Sequence, residues 1–175
     1  RDVSDHHWAA ASIQYAVGKK WFGGFPDGTF KPGQPMKRAQ TAAVFTTLLD
    51  LPLAVPRFHD IYSDHWAAYQ IGAVQERGIM TGDRGYFRPN APLTRAQFAK
   101  VLVQAFGLSA PPNGFSAAQV FPDVRPDDWY APYADIVAGL GLMRGNEEGK
   151  FLPNRPITRA EVAVILHRYD LQQNR

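Results

Sequence analysis

The chain has 175 residues, 45% of them hydrophobic, with 19 Lys and Arg against 16 Asp and Glu and no cysteine. That is enough to bury a sizeable core in one domain or a few small units, and it excludes disulfides, thiolate metal sites and a cysteine nucleophile. No apolar run approaches the roughly 18 residues of a membrane span, and the cations are scattered instead of massed as nucleic acid binding favours, so neither membrane insertion nor a nucleic-acid partner is expected. The net charge of +3 is a mild bias toward anions in general. The opening Arg1-Asp2-Val3, with no methionine and no visible signal peptide, has the look of a mature protein or an excised fragment.

The predicted elements come in the same order three times. Trp8, Trp66 and Trp129 are separated by 58 and 63 residues, and Arg38, Arg95 and Arg159 by 57 and 64. Each tryptophan is followed 16 residues on by a glycine (Gly24, Gly82, Gly145), and an aromatic stands eight residues before each arginine (Phe30, Phe87, Phe151). The lead-in FHDI (58–61) returns as FPDV (121–124), with RDV (1–3) as its remnant. Such a register defines repeats at 1–52, 58–108 and 119–172, each too small to bury its own apolar face, so the three are expected to fold as one cooperative body.

Each repeat reads as helix, loop, helix. The first helix is predicted from the tryptophan, with apolar residues five and eight positions on: Ile13 and Ala16, Ile71 and Val74, Ala134 and Val137. Asp5, Ser63 or Asp64, and Asp127 stand where an N-cap belongs. The middle is dense in Gly, Pro, Asn and Asp, which predicts turns around a short extended piece; repeat two is one residue shorter, so its turn at Asp83 to Gly85 should differ. The second helix opens at KRAQ, TRAQ and TRAE. Thr94 with Gln97 and Thr158 with Glu161 have capping-box spacing, and Ala39, Ala42 and Phe45, with Ala96, Ala99 and Leu102 and Ala160, Ala163 and Leu166, form a small-residue stripe. Close approach along that stripe predicts an all-α fold around a central three-helix bundle, with the first helices and loops as outer prongs. The connections 50–57 and 107–120 carry prolines and fall between repeats.

Arg95 and Arg159 fall on the first helical position, where a cation opposes the macrodipole. Two readings of the arginines stand side by side: an anion site made with helix-start amides, or a bond to a neighbouring carboxylate or carbonyl that locks two repeats together. Repeat one adds Lys37 in place of the threonine cap, which makes its pocket more basic. The tryptophans are likewise either core or platforms for sugar rings. Tyr62, Tyr69, Tyr86, Tyr130 and Tyr133 are further stacking candidates. The adjacent His6 and His7 do not face one another on a helix, the spacing of a calcium loop is absent, and no phosphate loop, dinucleotide fingerprint or nucleophile elbow occurs. No catalytic residue, metal or cofactor is assigned.

Three copies of F-x-D-V, W-A, a glycine loop and F-x-P-x-x-P-[IL]-T-R-A-[EQ] resemble a tandem of S-layer homology domains, the cell-wall anchoring modules of bacterial surface proteins. The resemblance covers essentially the whole chain. It implies a pseudo-threefold spindle whose inter-repeat grooves bind secondary cell wall polysaccharide linked to peptidoglycan, often through a pyruvate-ketal sugar, and an extracellular place on the cell wall. It implies Arg38, Arg95 and Arg159 as ligand residues, with Lys37 beside the first, and Gly24, Gly82 and Gly145 on opposing walls; Trp66 and Trp129 join them as stacking candidates. Lys37 and the shortened loop of repeat two depart from the pattern, so one or two grooves are expected to bind well. The alternative partner is a neighbouring protein subunit of a surface lattice.

Overall fold

The computed structural model describes residues 1–174. These form α1 (Ala10–Gly18), α2 (Arg38–Leu48), α3 (Ala68–Glu76), α4 (Arg95–Phe106), α5 (Ala117–Val120), α6 (Ala131–Gly139) and α7 (Arg159–Gln173). Extended pairing among the described residues is limited to isolated bridges, so the fold is all-α.

The second helices of the repeats, α2, α4 and α7, start at the arginines as the capping pattern predicts. Thr94 Oγ1 accepts from the Gln97 N–H at 3.1 Å and returns the favour through its own N–H to Gln97 Oε1 at 3.0 Å. Thr158 and Glu161 repeat the exchange at 3.2 and 2.8 Å. In repeat one only half survives: the Lys37 N–H donates to Gln40 Oε1, and an ammonium has nothing with which to accept. All three small-residue stripes are buried.

The first helices, α1, α3 and α6, depart from expectation at their starts. They begin two residues after the tryptophans, and Asp5, Ser63, Asp64 and Asp127 do not cap them. The tryptophan instead closes a tight turn fixed by another side chain. His7 Nδ1 accepts the Ala9 N–H and His65 Nδ1 the Ala67 N–H, both at 3.1 Å. In repeat three Asp128 accepts the Arg125 N–H and the Tyr130 hydroxyl, each at 2.8 Å. Ile13, Ala16, Ile71, Val74, Ala134 and Val137 are buried, whereas the tryptophan of each turn stands outside the apolar face.

The loop of repeat two does turn differently. Asp83 and Tyr86 exchange both backbone hydrogen bonds across Arg84 and Gly85, which have φ of 49° and 85°, a two-residue hairpin turn of the primed type. Repeats one and three take one residue more, closing Gly28 N–H to Phe25 O and Gly149 N–H to Asn146 O at 2.9 Å each.

The chain divides into two compact units that cut across the repeats. One joins Arg1–Pro92 to the stretch from Ile157 onward, and the other is Leu93–Pro156. In the first, α1 packs on α7 and α2 on α3; in the second, α4 packs on α6, with the short α5 beside it. Within each unit the close pairs join a second helix to the first helix of the next repeat, repeat one coming next after repeat three. The α1–α7 pair carries a polar cluster. The Tyr15 hydroxyl donates to Asp170, Lys19 Nζ lies 3.5 Å from the same carboxylate, Tyr15 stacks on His167 at 4.1 Å, and Ser12 Oγ is 3.0 Å from His167 Nδ1.

The first connection also packs. The Ala54 N–H donates to Tyr69 O at 3.2 Å, and Gly72 of α3 admits this strand, since a Cβ there would lie 1.9 Å from Ala54 O.

Candidate functional site

Each second helix begins by gripping the loop of the next repeat. The first two amides of α2, on Arg38 and Ala39, donate to Ala91 O and Pro89 O at 2.9 and 3.0 Å. Those of α4 reach Arg155 O and Pro153 O, both at 2.9 Å, and those of α7 reach Gln34 O and Pro32 O, both at 3.0 Å. Groups that a helix start would offer an anion are therefore already occupied by carbonyls.

The arginine side chains follow the same course. Arg38 donates from Nε to Phe87 O at 2.6 Å and from Nη2 to Thr81 O at 2.7 Å. Arg95 reaches Phe151 O at 2.8 Å and Arg144 O at 2.7 Å, and Arg159 reaches Phe30 O at 2.8 Å and Gly23 O at 3.1 Å. Each guanidinium also lies over the phenylalanine whose carbonyl it holds, at 4.6, 5.3 and 4.7 Å. Arg95 and Arg159 are 5% and 4% exposed, and Arg38 is half-buried. Burial holds the Arg159 guanidinium below its ordinary pKa, yet it stays charged.

A second clamp comes from the lead-in aspartates, which sequence reasoning used only as landmarks. Asp60 accepts the N–H groups of Phe87 and Arg88 at 2.8 and 2.7 Å, Asp123 those of Phe151 and Leu152, and Asp2 those of Phe30 and Lys31. The residue after each phenylalanine is left-handed, with φ of 57°, 59° and 55° at Lys31, Arg88 and Leu152, and the carboxylate fixes that bend. The recurring aspartate of F-x-D-V was the available signal. The loop glycines are needed for close approach: a Cβ on Gly82 would lie 2.5 Å from Tyr86 O, on Gly145 2.9 Å from Phe121, and on Gly24 3.1 Å from Thr29 O.

Against this rigid frame a groove of about 830 Å³ opens inside the first unit. Gly24, Lys37, Trp66 and Arg159 of the expected site meet there. Arg38, Arg95, Gly82, Gly145 and Trp129 are not among its walls. Sequence reasoning missed Lys20, Trp21 and Phe25, which line it too. The signal was available in the register: their counterparts are Gly78, Ile79 and Asp83 in repeat two, and Gly141, Leu142 and Asn146 in repeat three. The lining carries three cations, Lys20, Lys37 and Arg159, and no carboxylate. Trp8, Trp66 and Trp129 are 67%, 62% and 57% exposed, which removes them from the core. Such an acid-free trough edged by an indole can hold an anion and present an apolar face at the same time.

The pattern of the S-layer homology domain matches residues 1–42, 57–99 and 120–163. The chain is 39% identical over 169 residues to an S-layer protein of Bacillus anthracis and 38% identical over 169 residues to one of Bacillus licheniformis, in both cases covering 94% of this chain and 19% of that protein. It is also 34% identical over 171 residues to an uncharacterized cell wall amidase of Bacillus anthracis, 95% of this chain and 31% of the amidase. The chain thus spans about a fifth of the length of the two S-layer proteins. Its three matched repeats, which take in most of its length, make the chain a member of the S-layer homology domain family, and its place is the cell surface, on the cell wall.

Proposed function

We propose that the chain is a non-catalytic anchor that holds a larger surface protein on the bacterial envelope by binding anionic secondary cell wall polysaccharide, with a pyruvylated sugar as the ligand chemistry. The observation that carries this reading is the repeat-one groove, whose cations meet no lining carboxylate and whose edge presents Trp66. An indole face suits the apolar face of a pyranose, and ammonium groups suit a ketal carboxylate. Arg159 lies in this groove with Nε and Nη2 committed to carbonyls, so its role there is to hold the wall and supply positive potential from below. By the family resemblance, Arg38, Arg95, Gly82, Gly145 and Trp129 are read as further ligand residues of the chain. Several grooves on a repeating polymer raise the effective affinity by about 10²-fold or more over one.

Co-sedimentation with purified sacculi tests the reading. The chain should pellet, should stay in solution when the polysaccharide has been removed chemically, and should weaken about tenfold on Trp66→Ala, whose side chain is already exposed and leaves the core intact. Undiminished pelleting with stripped sacculi overturns the polysaccharide assignment.

A further inference from the structure

Repeats one to three provide an internal comparison at matching positions, and repeat one stands apart at the groove. Its first helix ends in the same way as the others: the residue two past Gly18, Glu76 and Gly139 is left-handed, with φ of 62° at Lys20, 66° at Gly78 and 72° at Gly141. The hydrogen bonds there are equivalent, Lys20 N–H to Val17 O, Gly78 N–H to Gln75 O and Gly141 N–H to Ala138 O, at 2.9, 3.0 and 2.9 Å. Two repeats fill this position with glycine, the residue that adopts it without cost. Repeat one fills it with an exposed lysine, whose side chain lines the groove.

Lys37 presents the same trade. Its counterparts Thr94 and Thr158 accept the N–H of the third helical residue, whereas Lys37 gives that bond up and places an ammonium on the groove. At two positions, then, repeat one forgoes a residue its siblings use for local stability, and at both the replacement is a cation on one cavity. Beneath them Arg159 is buried, holds carbonyls through Nε and Nη2, and lines the same cavity, with the Asp2 carboxylate acting on its charge from outside the lining. No acid on the cavity wall neutralises any of the three.

The geometry points to Lys20 and Lys37 as the residues that read the carboxylate of an acidic sugar in the repeat-one groove, with the motif arginine acting as scaffold. This assignment rests on the polysaccharide-binding reading above. It makes repeat one the charge-selecting groove of the chain, since the counterparts of its two lysines are glycine and threonine. Trp21, Phe25 and Trp66 then supply the apolar contacts around the same sugar.

The test installs the siblings' own residues. Lys20→Gly, Lys37→Thr and the double variant in the whole chain are titrated with purified cell-wall polysaccharide and with the same polymer after its carboxylates have been converted to methylamides. The single variants should each bind the native polymer about tenfold more weakly, as expected for loss of one charge-assisted bond in a partly enclosed site, with a shallower dependence on salt. The amidated polymer should bind the parent weakly and should no longer distinguish parent from variants. Thermal melting should show each variant at least as stable as the parent, so weak binding is not read as unfolding. Lys20→Arg should retain binding. If the parent binds the native polymer and the double variant binds it equally well, the lysine assignment fails while the anchoring role stands. If the parent binds neither polymer, the anchoring reading itself fails and the lysine assignment with it.

Discussion

At the scale of single residues, the arginines carry the most energy. Arg95 and Arg159 each donate charge-assisted bonds from Nε and Nη2, in a buried position, to backbone carbonyls of the next repeat. Such bonds contribute about 1.5 to 3 kcal/mol apiece, and truncation also strands the carbonyls. Arg95→Ala and Arg159→Ala are therefore expected to lose about 3 kcal/mol or more in urea denaturation, and Arg38→Ala, which is half-buried, distinctly less. Equal, small losses would show that the carbonyl contacts contribute little. Both sequence readings of these residues were open because the acceptors leave no trace in a sequence. Thr81, Arg144 and Gly23 share no chemistry, and each offers only the carbonyl that every residue has. The cation's opposition to the macrodipole is offset by the cluster of carbonyls gathered at each helix start.

At the scale of elements, the lead-in aspartates tie the loop to the turn that precedes each first helix. Backbone N–H groups of Phe30 and Lys31 hold the Asp2 carboxyl below the usual carboxylate range, the Thr29 hydroxyl and N–H do the same for Asp27, and the Arg125 N–H and Tyr130 hydroxyl for Asp128. A carboxyl whose folded pKa is depressed contributes stability that is complete above its unfolded value, near pH 4, and is lost as pH falls through the lower folded value. The melting temperature should thus be level above about pH 4.5 and fall below it, and Asp2→Asn should lower it at pH 7 while making the acid-side fall shallower. A parallel fall in both proteins would remove Asp2 from the cause. The second helices were legible in detail because threonine caps, glutamine or glutamate partners and small-residue spacing each act within a few residues. The starts of the first helices were not, since no side chain caps α1 or α3 and the turns before them are held by His7 and His65, whose ring nitrogens accept the N–H groups of Ala9 and Ala67, a role outside the short list of usual capping side chains. Placing the tryptophan on the helix face followed from that error, and its exposure is the correction.

At the scale of the molecule, the repeat seen in the sequence is not the unit that packs. In repeat two, α3 rests on α2 and α4 on α6, so both of its helices have their partners outside the repeat. Residues 58–108 expressed alone should give a circular dichroism spectrum of an unfolded chain with no cooperative melt, whereas the whole chain melts with one; a folded, cooperative fragment would contradict the offset packing. The threefold phrase was plain in the sequence, but the one-step offset was not, because hydrophobic spacing says which face is buried and not which helix covers it. The same offset has a mechanical consequence at α7. This helix is 15 residues long, against 11 and 12 for α2 and α4, and its added turn carries Asp170 onto Tyr15 and Lys19 of α1. Tension applied at residue 174 along the α7 axis reaches α1 as sliding between two helices held side by side, and the Asp170 and His167 contacts must yield together instead of peeling one at a time. The two ends of the chain's helical order are thus fastened to each other, and a pull on one is resisted by the other.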